Sequence, residues 1–202
     1  MKVAISAALS LAGALGIANA WPSRVLAQHG DHDHALVAPQ RETTPEQKQK
    51  VSDLVEAVRT ANDRFRDVEV AKSEQYEERF GCVSGGDLGA MGVHYVKDAF
   101  VGNPELKIDE PELLVYEPQP NGRLRLVAAD WLVPAELWHT TSPAPPDLAG
   151  QLFHLFEFPN RFALPAFYTL HVWAWKSNPN GTFANWNPNV SCDHFRPSNP
   201  HS

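Results

Sequence analysis

The chain has 202 residues, a formal net charge of −7 and only two cysteines, which fits one domain with appendages. Such a surface repels phosphate backbones and anionic lipid, and no Lys/Arg cluster or basic stripe offsets it. Nucleic acid and membrane surfaces are therefore poor partners.

Residues 1–20, MKVAISAALSLAGALGIANA, carry the three parts of a secretory signal. Lys2 is the positive start, Val3 to Ile17 the apolar run, and Ala18-Asn19-Ala20 the small residues a signal peptidase needs. The run is too short to cross about 30 Å of hydrocarbon, so no span is expected in the mature chain. Cleavage near Ala20 predicts a periplasmic or secreted protein and, by loss of Lys2, moves the formal charge from −7 to −8. An oxidising compartment favours a disulfide between Cys82 and Cys192; a free or metal-bound thiolate is the alternative.

Residues 21–43 show no apolar periodicity and read as a flexible tether. Within it, HGDHDH places His29, Asp31, His32, Asp33 and His34 together. Short His/Asp tracts bind divalent metals loosely, so this is an auxiliary metal site or only a solubilising linker. The globular domain is predicted over residues 44–202. Thr44 is a helix cap, Pro45 suits the first helical position, and Gln47 completes a capping box. Val51, Leu54, Val55, Val58, Ala61, Phe65 and Val68 then recur at spacings of three and four. That stripe predicts one long amphipathic helix running to near Tyr76.

Beyond it the period shortens to two. VHYV, ELLVYEP, GRLRLVAADWLV, LFHLFEF and AFYTLHVWAW are read as five strands, with Asn121-Gly122 as a hairpin turn. One long helix followed by strands predicts an α+β domain with the helix packed on a mainly antiparallel sheet.

The stretch GCVSGGDLGAMGVHYV, Gly81 to Val96, opens that strand region. It matches neither a phosphate-binding glycine motif nor a nucleophile elbow. It is read as a turn with a disulfide anchor, in which Gly92 lets another backbone approach closely.

The strings GCVSG…GAMGVHYV, LVYEP, GQLFH, PNRFALPAFYTLHVWAW and NPNGTFANWNPNVSC resemble an uncharacterised family of small exported bacterial proteins. The resemblance implies export and one compact domain, with no activity and no site residue to carry over.

Three histidines sit inside apolar, strand-like runs: His94, His154 and His171. A buried imidazole needs a hydrogen bond, a metal or solvent. Three converging neutral imidazoles suit copper or zinc, with a fourth position left for water or substrate. If Pro159 opposes Ala166 across an antiparallel turn, His154 faces His171 directly, with Cβ atoms about 5 Å apart. A one-residue slip would separate them onto opposite faces.

Alternation along the last strand places Phe167, Thr169, His171, Trp173 and Trp175 on one face. These aromatics line a small-molecule pocket or pack against the helix. Arg161 anchors an acidic ligand or pairs with one of the acids near the hairpin: Asp109, Glu110, Glu112, Glu117 or Asp130. Nothing in their spacing pairs two of those acids across a cleft. Two functions follow. One is an exported domain binding copper or zinc through His94, His154 and His171. The other is a metal-free small-molecule or protein-binding module built on an aromatic pocket. No catalytic residue is assigned.

Overall fold

The computed structural model describes residues 44–197. The expected signal, tether and loose metal ligands His29, Asp31, His32 and His34 lie outside them. Helix α1, Pro45–Asn62, begins as its sequence predicts: the Thr44 side chain accepts from the Gln47 amide while Gln47 returns a bond to the Thr44 amide. Leu54 and Val58 are its buried stripe.

The helix does not run on to Tyr76. The Asn62 side-chain amide donates to the Val58 and Ile108 carbonyls. A 3₁₀ turn, Asp63–Arg66, follows, then an extended Asp67 that caps a separate short helix, α2, Val68–Ser73. The apolar period persists through Phe65, but the backbone breaks twice. Periodicity reports which face is buried, and it does not report continuity of the hydrogen-bond ladder.

The sheet has six antiparallel strands rather than five. They are β1 (Glu77–Ser84), β2 (Ala90–Val96), β3 (Leu113–Pro118), β4 (Leu124–Pro134), β7 (His154–Phe156) and β8 (Phe167–Val172), in spatial order β1-β2-β3-β4-β8-β7. A separate two-stranded ribbon, β5 (Asp147–Leu148) with β6 (Gln151–Leu152), lies between β4 and β7 in sequence. The strand absent from the sequence reading is β1. It is an edge strand of largely half-exposed residues, and its alternation is broken where Phe80 and Gly81 are inserted between the Arg79–His94 and Cys82–Val93 pairs. The β3–β4 hairpin turns at Asn121-Gly122 as expected, with Gly122 at φ 77° and its amide bonded to the Gln119 carbonyl.

One sheet face packs under the helices. Leu54 and Val58 meet Ala129, Trp131, Val133, Leu170 and Val172, and further along Phe65 and Ala71 meet Val93, Tyr95, Leu114 and Tyr116. The opposite face carries Val115, Ala128 and Trp173 and is covered by the C-terminal segment through Val190 and Cys192. That segment is pinned by the Ala90–Asn187 bridge and by a disulfide between Cys82 and Cys192, whose Cα atoms are 5.7 Å apart. Cys192 lies in irregular chain.

Gly92 is a point of close backbone approach in the glycine-rich stretch. Its φ is +119°, and a Cβ there would sit 2.6 Å from the Tyr116 carbonyl oxygen. Gly92→Ala is expected to cost about 3 kcal/mol, from left-handed strain and the displaced strand. Urea unfolding measures this, and a loss below about 0.5 kcal/mol, the scatter of neutral surface changes, would remove the close-approach argument.

Candidate metal centre

The cavity-facing residues follow from strand parity. On β8, Phe167, Thr169 and His171 alternate with Tyr168, Leu170 and Val172, and the second set joins the core beneath α1. His171 is the direct cross-strand partner of Asp130 on β4, and Asp130 is opposite Leu113 on β3. His94 on β2 is opposite Val115, two residues along β3 from Leu113 and therefore on the same face. β2 and β8 are three strand spacings apart, about 14 Å on a flat sheet. The His94 and His171 rings are only 6.0 Å apart, so the sheet curls around this face.

His94, Asp130 and His171 are 4%, 4% and 2% exposed. One ligand atom from each lies within 4.8 Å of the others. His171 Nδ1 is 3.0 Å from Asp130 Oδ2, and the Thr169 hydroxyl donates to Asp130 Oδ1 at 2.5 Å. Burial opposes the Asp130 charge, yet the His171 ring and the Thr169 hydroxyl together hold its carboxyl below its ordinary value. His94 moves the other way for an imidazole. Burial, reinforced by the neighbouring His171, pushes it down to about 4, so His94 is neutral at physiological pH.

Phe80, Met91, Leu132, Phe156, Phe162, Leu164 and Asn185 complete the walls of the cavity these groups share with Leu113, Phe167 and Thr169. The histidines and the aspartate form its buried end. Phe80, half exposed, stacks edge-on against Phe162 at 5.4 Å on the outer side. The cavity, open to solvent on its outer side, has a volume of about 30 Å³, space for an ion with a water or two. Pockets for organic ligands are commonly ten times larger.

The cluster brings together two of the three expected histidines. His154 is exposed and pairs with Thr169 rather than His171. The β7–β8 connection explains the offset. Asn160 donates to the Glu157 and Leu164 carbonyls and accepts from the Phe162 and Leu164 amides. That organises a loop from Glu157 to Ala166, and the register closes two residues away from the one His154 needed.

Of the expected pocket residues, Phe167 lines the cavity and Trp173, Trp175 and Arg161 do not. β8 ends at Val172, so alternation stops applying there. Trp173 is buried 5.3 Å from the His171 ring and donates its indole N–H to the Ala184 carbonyl. Trp175 donates to Asp63 beside α1. Among the described residues Arg161 pairs with no acid; it donates to the Ser84 carbonyl and lies 4.9 Å over the Trp186 ring. The residue overlooked as a site member is Asp130. Its signal was present: a lone carboxylate within the apolar run LVAADWLV, where an unpaired charge is costly.

The fold and this site define an α+β domain whose curled sheet encloses a His/Asp/His group behind an aromatic mouth. Comparison with family models, with curated proteins and with solved structures finds no match for the chain.

Proposed function

We propose that this is an exported metal-binding domain, holding one transition-metal ion, copper or zinc, between His94 and His171. A single observation carries the reading. Among the described residues, four buried side-chain polar atoms have no hydrogen-bond partner: Asn62 Oδ1, His94 Nδ1, His171 Nε2 and Asn185 Oδ1. Three of the four belong to residues lining this cavity. Buried polar atoms are almost always satisfied, and a convergent set of orphans marks where an ion or ordered water belongs.

The electrostatics agree. A ligating histidine must present a lone pair, and His94 keeps one down to about pH 4. Asp130 engages His171 Nδ1, which leaves Nε2 as the ligating nitrogen. A carboxylate bonded to the far nitrogen is the usual partner of a metal-bound histidine and fixes its tautomer. Export is supported by the formed disulfide, and no described helix is long and apolar enough to cross a membrane. The rival reading, an organic ligand among the phenylalanines, has little cavity volume to occupy.

The test is metal content by mass spectrometry of the full chain, exported natively and purified without an affinity tag. About one equivalent is expected in the wild type and in a variant with His29, His32 and His34 all changed to alanine. It is expected to be lost in His171→Ala. Asp130→Asn should retain the fold and weaken binding about 10–100-fold, the usual effect of removing such a carboxylate. Metal that vanishes with the tether histidines, or no uptake after loading with copper and zinc, overturns the proposal.

A further inference from the structure

We propose that Met91 is a third ligand in this cavity and that its thioether selects copper, held as Cu(I), over zinc. The inference rests on the metal site proposed above and deepens it. Simple alternation along β2 would put Met91 with Val93 and Tyr95, on the face beneath the helices. It lines the cavity with His94 instead. The cause is a bulge: Val83 pairs with Gly92 and Ser84 with Ala90, so Met91 is the extra residue on β2. Gly92, at φ +119° and hard against Tyr116, makes the bulge sterically feasible. The backbone thus departs from regular pairing at the one sulfur-bearing residue that lines this cavity.

Met91 is 4% exposed, and Met1 is the only other methionine in the chain. The donor chemistry follows from which groups are already engaged. Asp130 uses one oxygen on His171 and the other on Thr169, so the charged carboxylate is committed outside the ion. Two imidazole nitrogens, the neutral Asn185 amide oxygen and the Met91 thioether remain. Soft thioether sulfur favours Cu(I), whereas zinc is held by thiolate, imidazole and carboxylate.

The test is anaerobic competition of the full-length chain against a chromophoric Cu(I) chelator, with a parallel zinc titration, in wild type and Met91→Leu. Leucine nearly conserves volume and is tolerated in cores, so the variant should fold. Its Cu(I) affinity is expected to fall about tenfold or more, the scale on which lost metal contacts register, with zinc affinity unchanged. Copper absorption spectroscopy on selenomethionine-labelled protein should show a selenium neighbour that Met91→Leu abolishes. Equal Cu(I) affinity in the two proteins, or a matching loss for zinc, overturns the role of Met91 while leaving the site. A wild type that binds zinc and no Cu(I) does the same. Binding of neither metal overturns the site as well.

Discussion

Glu112→Gln is expected to stabilise the apoprotein above pH 6.5 and to remove most of its loss of stability toward pH 8. Glu112 is 1% exposed, its Oε2 accepts the Leu132 amide, and no cation pairs with it among the described residues. Burial pushes its carboxyl up to about 8 from 4.5, against the hydrogen bonds from Leu132 and its own backbone. The sign follows from linkage. Between pH 4.5 and 8 the folded state keeps a proton that the unfolded chain has lost, so this contribution is complete below 4.5 and fades as pH rises. Integrated, the shift amounts to roughly 5 kcal/mol. Glutamine keeps an acceptor for the Leu132 amide without the titration.

His94 acts in the opposite sense. Its depressed value means the unfolded chain binds the extra proton between pH 4 and 6.5, so stability rises through that window by roughly 3 kcal/mol and is flat above it. The two slopes largely cancel from 4.5 to 6.5, which leaves the net decline at 6.5–8 to Glu112. Urea unfolding in the presence of chelator at pH 5, 6.5 and 8 reads this directly. Identical pH slopes in wild type and Glu112→Gln would show that Glu112 is ionised in the fold.

Loss of the Cys82–Cys192 disulfide is the second large effect. The bond spans 110 residues, and closing a loop of that length restricts the unfolded chain by about 4–5 kcal/mol in the chain-entropy model. A domain of this size has 5–15 kcal/mol in all. The paired Cys82→Ser/Cys192→Ser variant is therefore expected to melt roughly 10–15 °C lower. The site should suffer with it. Cys82 follows the two-residue insertion that holds Phe80 over the cavity, and the Phe195 ring, three residues past Cys192, lies close enough to Gly81 in that insertion that a Cβ there would sit 3.4 Å from it. Scanning calorimetry with and without reductant checks the stability. A melting shift under about 2 °C, worth less than 1 kcal/mol, would mean that the Ala90–Asn187 bridge and the apolar contacts hold the C-terminal segment unaided.

Much of the architecture could be read locally. The capping box at Thr44, the Asn121-Gly122 turn and the alternation in β4 and β8 each act over a few residues, so the sequence states them directly. The interruption at Asn62 was hidden because its cause is a hydrogen bond to Ile108, forty-six positions away. β1 was hidden because an edge strand with two inserted residues carries no clean period. Trp173 and Trp175 were misplaced because parity was carried past Val172, where the ladder stops.

The site divides along the same line. The residue types and the faces of the sheet were determined by the sequence alone: period two places His171 with Phe167 and Thr169 whatever the strand pairs with, and in a chain with two cysteines each has one partner to find. Which of those residues meet was decided only by tertiary structure. Register across β7 and β8 depends on how Asn160 closes its loop, and two residues of offset removed His154. Sheet curl drew His94 and His171 together from strands three apart. A bulge turned Met91 to the cavity side, and Asp130 became a site residue only once its cross-strand partner was His171. Register, curl and bulges are settled by packing energy summed over distant segments.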